Sequence, residues 1–333
     1  MNSKIKVAVC GMGRIGYATH LPAIKKIKKM ELCAVCDNNK ELAGKAAKEF
    51  NVPSFSSYDE MLKDCGADMI VIATPSQMHS EMTIAALNKG FHVMVEKPMG
   101  RDFDESARMV EAAEKAGKIL TVNQSMRYRV DALYLKKVID SGMLGDVYSF
   151  YTGSNHSSER TDWQIWKKNN GGALADLGIH VLDAILFFNN SEPEYIFAKF
   201  HRILDKGDAE DSYKVSIKFK DGSVSECEMN TAAFSKPLWY VCGTKGTLIV
   251  ENELPVSRFR FKPWGGREKL LKRFEDYYLK GSPSYFHYKD LVSRILKGQE
   301  PPVSTGQLLK LMKVVDCARK SDAEGKSICF ERN

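Results

Sequence analysis

Three glycines constrain this chain more than any other feature. Gly11, Gly13 and Gly16 fall at G-x-G-x-x-G spacing, directly after a β-branched apolar run over residues 4–10. From Arg14 onward the pattern turns helical, with Ile15, Ala18, Leu21 and Ile24 at three-residue steps. Strand, glycine turn and helix are what a dinucleotide site needs: one glycine makes the tight turn, one lets a pyrophosphate approach the backbone, and one lets the helix pack on the strand. The helix N-terminus then offers unpaired N–H groups and a positive dipole end to the phosphates. A bare glycine triplet would equally suit a plain turn, and its setting between strand and helix is what favours the nucleotide. Gly11, Met12, Gly13, Arg14, Ile15 and Gly16 are therefore the candidate pyrophosphate contacts.

The next apolar run, 31–36, ends at Asp37, about twenty residues beyond the glycine turn, where a carboxylate takes the ribose hydroxyls of an adenosine. That charge would repel the extra phosphate of NADP. The following residues, Asn38, Asn39 and Lys40, include no arginine, so NAD is expected, with Lys40 the one feature pointing the other way. Asp37 is also a candidate helix N-cap, a role compatible with either cofactor.

Residues 69–73 form a continuous apolar run, the mark of a strand buried on both faces, and it breaks at Thr74-Pro75. Further strands are expected at 92–95 and 119–122, with helices at 40–50, 58–65, 77–88 and 104–116. Such alternation builds a parallel sheet covered by helices, with ligands at the carboxyl ends of its strands. Gly11, Asp37, Thr74, Glu96, Lys97 and Asn123 all fall at those ends. After Asn123 the pattern changes. Helices are expected at 128–141, 173–188, 285–296 and 306–321, the last capped by Ser304 or Thr305. Strands are expected at 146–153, 195–201, 212–219, 223–229, 238–242 and 247–250, with a hairpin at Asp221-Gly222. The fold class is α/β: a dinucleotide-binding domain over 1–123 and an α+β domain over 124–333 with an open, mainly antiparallel sheet. The last helices can pack back on the first domain.

The 333 residues, 44% hydrophobic and 27% charged, suffice for a sizeable core and two domains. No apolar run is read as a membrane span. The start shows no charged-then-apolar leader, so a cytoplasmic location is expected. The net charge is +7, much of the excess is lysine, and the densest cluster is Lys25, Lys26, Lys28 and Lys29. No aromatic platform is interleaved with these lysines, so they are read as a solvated face and no nucleic-acid partner is expected. Of eight cysteines, Cys33 and Cys36 form a C-x-x-C, but residues three apart on a strand point to opposite faces and cannot share a metal. Buried reduced thiols are the expectation.

Lys97, Asp176 and His180 carry the candidate chemistry. Lys97 follows a strand end, and Asp176 and His180 stand at i and i+4 on one helix, after Gly171-Gly172 and around Gly178. A histidine accepts a hydroxyl proton near neutral pH. Oxidation of a secondary alcohol requires a hydride acceptor and such a base. Taken singly, His180 is equally a core histidine, Asp176 a structural hydrogen-bonding group and Lys97 a surface lysine before a proline turn. One histidine with Asp176 and Asp183 makes a poor metal set, and no metal is expected.

The stretches VAVCGMGRIG, IATPSQMH, VEKPMG, GGALADLGIHVLD and GTKGTL, in that order, make the chain resemble the glucose–fructose oxidoreductase and inositol dehydrogenase family (Gfo/Idh/MocA) from its first strand to its last helix. The segment NQSMRYR matches the family pattern loosely, and the loop over 155–166 is given no reading by the resemblance. The resemblance implies an NAD- or NADP-linked dehydrogenase of sugars, sugar derivatives or cyclic polyols, assembled as a homodimer or homotetramer through the second domain's sheet. It carries over Lys97, Asp176 and His180 as the catalytic set: His180 accepts the proton, Asp176 orients it, and Lys97 holds the reacting hydroxyl. It implies a cis bond before Pro98, and it makes Thr74, Pro75, His79, Glu96 and Gln124 cofactor neighbours.

Two other functions stay open at this level. One is an enzyme that retains its NAD and uses transient oxidation to assist glycoside cleavage or sugar interconversion. The other is a regulator that binds the nucleotide without turnover, against which the intact Lys97, Asp176 and His180 set argues. Arg127, Tyr128, Asn155, His156, Trp163 and Trp166 are candidate substrate contacts, since aromatic faces and hydrogen-bonding tips bind sugars.

Overall fold

The computed structural model describes residues 4–155, 160–204, 206–230, 236–253, 256–275 and 282–331. In chain order the elements are β1 (Ile5–Cys10), a π-helical turn (Gly16–His20) running into α1 (Leu21–Lys25), β2 (Met30–Cys36), α2 (Lys40–Phe50), β3 (Ser54–Phe55), α3 (Tyr58–Asp64), β4 (Met69–Ile72), α4 (His79–Asn88), β5 (His92–Val95), α5 (Phe103–Ala116) and β6 (Leu120–Val122). Then follow α6 (Val130–Asp140), β7 (Val147–Asn155), a second π turn (Leu174–Gly178) running into α7 (Ile179–Phe188), β8 (Pro193–His201), β9 (Ser212–Phe219), β10 (Val224–Asn230), β11 (Trp239–Gly243), β12 (Gly246–Glu253), β13 (Val256–Pro263) and β14 (Lys269–Glu275). The chain closes with α8 (Pro283–Ile295), α9 (Thr305–Glu324) and β15 (Ile328–Cys329). Two compact units result: Met1–Ser125 with Gly281–Met312, and Met126–Lys280 with Lys313–Asn333.

The first unit holds six parallel strands in the order β3-β2-β1-β4-β5-β6. The order reverses between β1 and β4, which is where a doubly wound sheet opens its crevice. β4, reading MIVI, is buried at every position, as a strand covered on both faces must be. Val7, Val9, Leu21, Ile24, Val71 and Met94 pack with Tyr288, Leu291 and Val292 of α8 into one core. Local caps set the helix starts: Asn39 for α2, Ser57 for α3, Asp102 for α5 and Ser282 for α8 each accept a backbone N–H of the first turn. At α9 the cap is Ser304, whose hydroxyl accepts the Gln307 N–H while Gln307 Oε1 accepts the Ser304 N–H, a reciprocal capping box.

The second unit is built on nine strands ordered β14-β13-β12-β11-β7-β10-β9-β8-β15, antiparallel except for the β7–β10 pair. Alternation along β8 separates its faces: Ile196 and Ala198 are buried, while Tyr195 and Phe197 are exposed. Leu182, Ile185 and Phe188 of α7 are buried, with Phe188 edge-on to Trp239 at 5.1 Å.

Some expectations need correction. β13 and β14 were not foreseen. Charged residues occupy alternate positions of β13 (Arg258, Arg260, Lys262), and β14 has no two-residue period, so pairing with β13 is what defines it as a strand. The stretch Lys167–Phe188 is long and apolar enough to cross a membrane, contrary to the expectation that no run is. Its buried share of 61% marks it as a core helix of this unit instead.

Candidate active site

The glycine turn forms at the carboxyl end of β1. Gly11 has φ +94°, a left-handed conformation that a side chain would strain, and an added Cβ would lie 2.5 Å from the Ala73 carbonyl oxygen. At Gly16 a Cβ would meet the Gly11 oxygen at 1.7 Å, so the helix can begin this close to the strand only with glycine there. At Gly13 nothing lies within 4 Å, and Gly13 and Arg14 are exposed, which leaves the turn open to an incoming phosphate. Met12 is a different case: its side chain is buried in the core and only its backbone serves the turn. The Asp37 carboxylate accepts the Met12 N–H through Oδ2 at 2.7 Å and the Asn39 N–H through Oδ1 at 2.8 Å. Asn39, not Asp37, caps α2. Asn38 is exposed beside it. These features fit a dinucleotide: two glycines demanded by the fold, and a third whose missing side chain leaves space.

The carboxyl ends of β4, β5 and β6 supply the rest of this edge. Thr74 and Pro75 follow β4 and are half-buried. Glu96, Lys97 and Pro98 follow β5, and the Lys97-Pro98 bond is cis. Lys97 is half-buried, whereas Glu96 is buried. Glu96 Oε1 accepts from His20 Nε2 at 2.9 Å and Asn123 Nδ2 at 2.7 Å, and Oε2 accepts the Lys97 N–H at 3.2 Å. Burial would raise this carboxyl, but the hydrogen bond and charge of His20, the Asn123 amide and the Lys97 charge outweigh it and hold it at about 2. His79, an expected cofactor neighbour, bonds within the protein. It is buried, with Nδ1 2.8 Å from the Pro98 carbonyl oxygen and Nε2 2.9 Å from that of Thr74, so neither ring nitrogen remains for a nucleotide. Gln124 is likewise buried, at 1% exposure.

In the second unit, Asp176 lies in the π turn Leu174–Gly178 and His180 in the first turn of α7. The four-residue step between them therefore crosses from π to α geometry instead of following one α turn. The Asp176 carboxylate is ion-paired with Arg160, whose guanidinium also reaches Asp162 and Gln164. The flanking glycines serve the protein's own backbone. A Cβ on Gly171 would stand 2.1 Å from the Gln164 oxygen, one on Gly172 2.2 Å from the Glu210 carboxylate, and one on Gly178 3.0 Å from the Tyr213 ring. Glu210 closes the turn from outside, its backbone oxygen accepting the Ala173 N–H and its Oε1 the Leu174 N–H. A small, partly open pocket of about 60 Å³ borders the turn, walled by Arg160, Gln164, Asp176, Leu177, Lys206 and Glu210 among others. Arg160 was legible only as a charge in a loop without pattern, and no local signal tied it to Asp176.

Arg127, a candidate substrate contact, is engaged within the protein. It is buried, with Nε and Nη2 on the two Asp183 oxygens at 2.7 and 2.6 Å, and its guanidinium lies over Phe187. Trp163 is half-buried with its carbonyl accepting the Asn169 amide, and Trp166 is exposed. The Asn155 side chain and His156 lie outside the described residues. Cys33 and Cys36 do not act together. Cys36 faces Cys10 across the β1–β2 register, and burial pushes the Cys33 thiol up to about 12. Among the described residues, no group of three or more His, Cys, Asp and Glu side chains is placed to hold a metal ion.

Family models match both halves of the chain: "Oxidoreductase family, NAD-binding Rossmann fold" over residues 5–124 and "GFO/IDH/MocA C-terminal domain" over 132–249. The chain belongs to the Gfo/Idh/MocA oxidoreductase family. As a member of that family it is an NAD(P)-dependent oxidoreductase. It is 29% identical over 190 residues to a D-glucoside 3-dehydrogenase of Escherichia coli, an alignment spanning 56% of this chain and 54% of that one. It is 22% identical to scyllo-inositol 2-dehydrogenase (NADP(+)) of Bacillus subtilis, covering 98% of this chain and 96% of that protein. Among solved structures, an oxidoreductase from Agrobacterium radiobacter in complex with NAD+, L-tartaric acid and magnesium has the same fold, at a TM-score of 0.89 and 20% identity over 98% of each chain.

Proposed function

We propose that this protein oxidises a secondary hydroxyl of a sugar, sugar derivative or cyclic polyol, using NAD in preference to NADP. The observation that carries this reading is the edge of the first unit's sheet. There the open Gly13 turn, the Asp37 carboxylate and the half-buried Lys97 stand at the ends of β1, β2 and β5. Gly11–Gly16 would hold the pyrophosphate and Asp37 the ribose, where its charge disfavours a 2′-phosphate. Bound there, the nicotinamide supplies a two-electron acceptor for an alcohol carbon.

The protein's own residues then manage the proton. Lys97, an ammonium on a four-carbon stem, donates a hydrogen bond to the oxygen of the reacting hydroxyl. His180 takes that hydroxyl's proton on its imidazole as the carbon is oxidised. Asp176, ion-paired with Arg160, orients His180. The names of the relatives support a sugar or polyol, one a glucoside and the other an inositol enzyme. Trp163 and Asn155 remain proposed substrate contacts.

The eight cysteines are all free thiols, which suits a reducing compartment, and the proposal places the protein in the cytoplasm. Tyr195, Phe197, Val224 and Tyr240 are exposed on strands of the second unit's sheet, and the proposal makes this sheet the contact of a homodimer or homotetramer. The test is NADH formation on a panel of sugars, glycosides and inositols. Turnover with freely added NAD supports the reading. NAD that co-purifies, resists dialysis and is never released as NADH would overturn it in favour of an enzyme that retains its cofactor.

A further inference from the structure

Lys97 stands between two residues that are each gripped by a buried histidine. Before it, Glu96 takes His20 Nε2 at 2.9 Å on Oε1 and the Lys97 N–H at 3.2 Å on Oε2. His20 is 0% exposed, and its Nδ1 lies 2.6 Å from the Tyr288 hydroxyl. Burial and the Glu96 charge hold Tyr288 as a phenol, so a neutral hydroxyl faces His20 Nδ1 while Nε2 faces the Glu96 carboxylate. After Lys97, the Pro98 carbonyl faces His79 Nδ1 at 2.8 Å, while His79 Nε2 faces the Thr74 carbonyl at 2.9 Å. His79 is 1% exposed.

The two histidines tie the β5 corner to different neighbours. His20 stands on the helical stretch after the glycine turn and connects the corner to Tyr288 of α8. His79 opens α4 and connects the corner to the loop after β4. A lysine side chain is long and flexible, so the placement of its amine depends on a fixed backbone. A misplacement of about 1 Å at a reacting group costs about a hundredfold in rate.

We propose that His20 and His79 are positioning residues for Lys97, one fixing the carboxylate before it and the other the carbonyl after it. This rests on the reading of Lys97 as the residue that holds the hydroxyl.

His79 adds a pH dependence. Its two ring nitrogens face two carbonyl oxygens, and a neutral imidazole has a single N–H. Burial is the largest influence and pushes the ring below the ordinary histidine range, outweighing the Pro98 and Thr74 carbonyls and the Glu96 charge, which favour the charged ring; Lys97 opposes it. The unfolded chain therefore takes up this proton first, at about pH 6.5. The stability tied to a neutral His79 is complete above that value and is lost as pH falls toward the folded one.

The test uses the full-length protein and the variants His79→Phe, His79→Gln, His20→Gln and Tyr288→Phe. The last removes one oxygen atom and keeps the packing, so it carries the test where a histidine variant does not fold. Three quantities are read: kcat and KM from NADH formation, NAD affinity by fluorescence, and the rate at which an acetyl N-hydroxysuccinimide ester labels Lys97, by mass spectrometry. His79→Phe and His20→Gln are expected to lower kcat about ten- to a hundredfold, and to leave KM and NAD affinity within about threefold. They are expected to change the Lys97 labelling rate more than about threefold, and His79→Gln, which restores one donor, to recover part of the loss. Acidification from pH 7 to 5 should lower the melting temperature of the wild type more than that of His79→Phe. Folded variants with unchanged kcat and unchanged labelling overturn the proposal. A wild type with no turnover on any alcohol overturns the catalytic reading of Lys97, and the labelling rates still decide whether the histidines position it.

Discussion

Asp37 Oδ2 accepts the backbone N–H of Met12 at 2.7 Å, so the carboxylate ending β2 is tied to the glycine turn ending β1. Its other oxygen holds the Asn39 N–H at the entrance to α2. One side chain thus shapes the turn that would receive the pyrophosphate while placing a negative charge beside the ribose position.

Two substitutions separate these jobs. Asp37→Asn keeps one acceptor oxygen and removes the charge, whereas Asp37→Ala removes both. Asp37→Ala is expected to weaken NAD about tenfold or more, the effect of one charged hydrogen-bond acceptor. Both variants should reduce the preference for NAD over NADP, measured as the ratio of the two dissociation constants. An unchanged ratio in Asp37→Asn would remove the charge from the account of selectivity.

The glycines make a second contrast. Gly13→Ala adds a methyl group where nothing lies within 4 Å, whereas Gly16→Ala drives one into the Gly11 oxygen at 1.7 Å. Gly13→Ala should melt within about 2 °C of the wild type, as expected for a substitution away from any packed feature, yet bind NAD about tenfold more weakly. Gly16→Ala should lower both the melting temperature and the NAD affinity. Calorimetry with NAD titration checks both. Full NAD affinity in Gly13→Ala would contradict the phosphate path.

Arg127 and Asp183 are a buried, bidentate pair, with side chains 6% and 2% exposed. Removing one partner strands the other's charge, at about 3–5 kcal/mol. Arg127→Ala should therefore shift the urea midpoint strongly. Arg127→Met with Asp183→Leu should recover much of that loss. A rise in substrate KM with unchanged stability would return Arg127 to the substrate site.

Glu96 sets a limit at low pH. Its carboxyl is held at about 2, below its unfolded value, so its stabilising effect is complete above the ordinary carboxylate range and is lost as pH falls toward 2. Glu96→Gln lacks this dependence. The gap in melting temperature between wild type and Glu96→Gln should close as pH falls from about 5 to about 2. A constant gap would contradict the ionised, buried carboxylate.

The sequence made the parallel sheet and its ligand edge legible because each buried strand there is a short apolar run ended by a turn residue, as in β4 before Thr74-Pro75. The C-terminal strands were legible where one face is buried, as in β8, and lost in β14, where lysines and arginines interrupt any period. Candidate residues at strand ends could be placed from position alone. Residues whose role depends on a distant partner could not. The ion pair of Arg160 with Asp176 is sixteen residues apart in sequence, Tyr288 reaches His20 from the far end of the chain, and nothing near Arg127 or His79 announces the partners that occupy them.

The central claim is that Lys97 holds the hydroxyl being oxidised. The most direct measurement compares wild type and Lys97→Ala for NADH formation on the best sugar or polyol substrate, with NAD affinity measured on the same two proteins. The account predicts that turnover falls by about three orders of magnitude or more while NAD affinity stays within about threefold. Turnover in Lys97→Ala at the wild-type rate would contradict it.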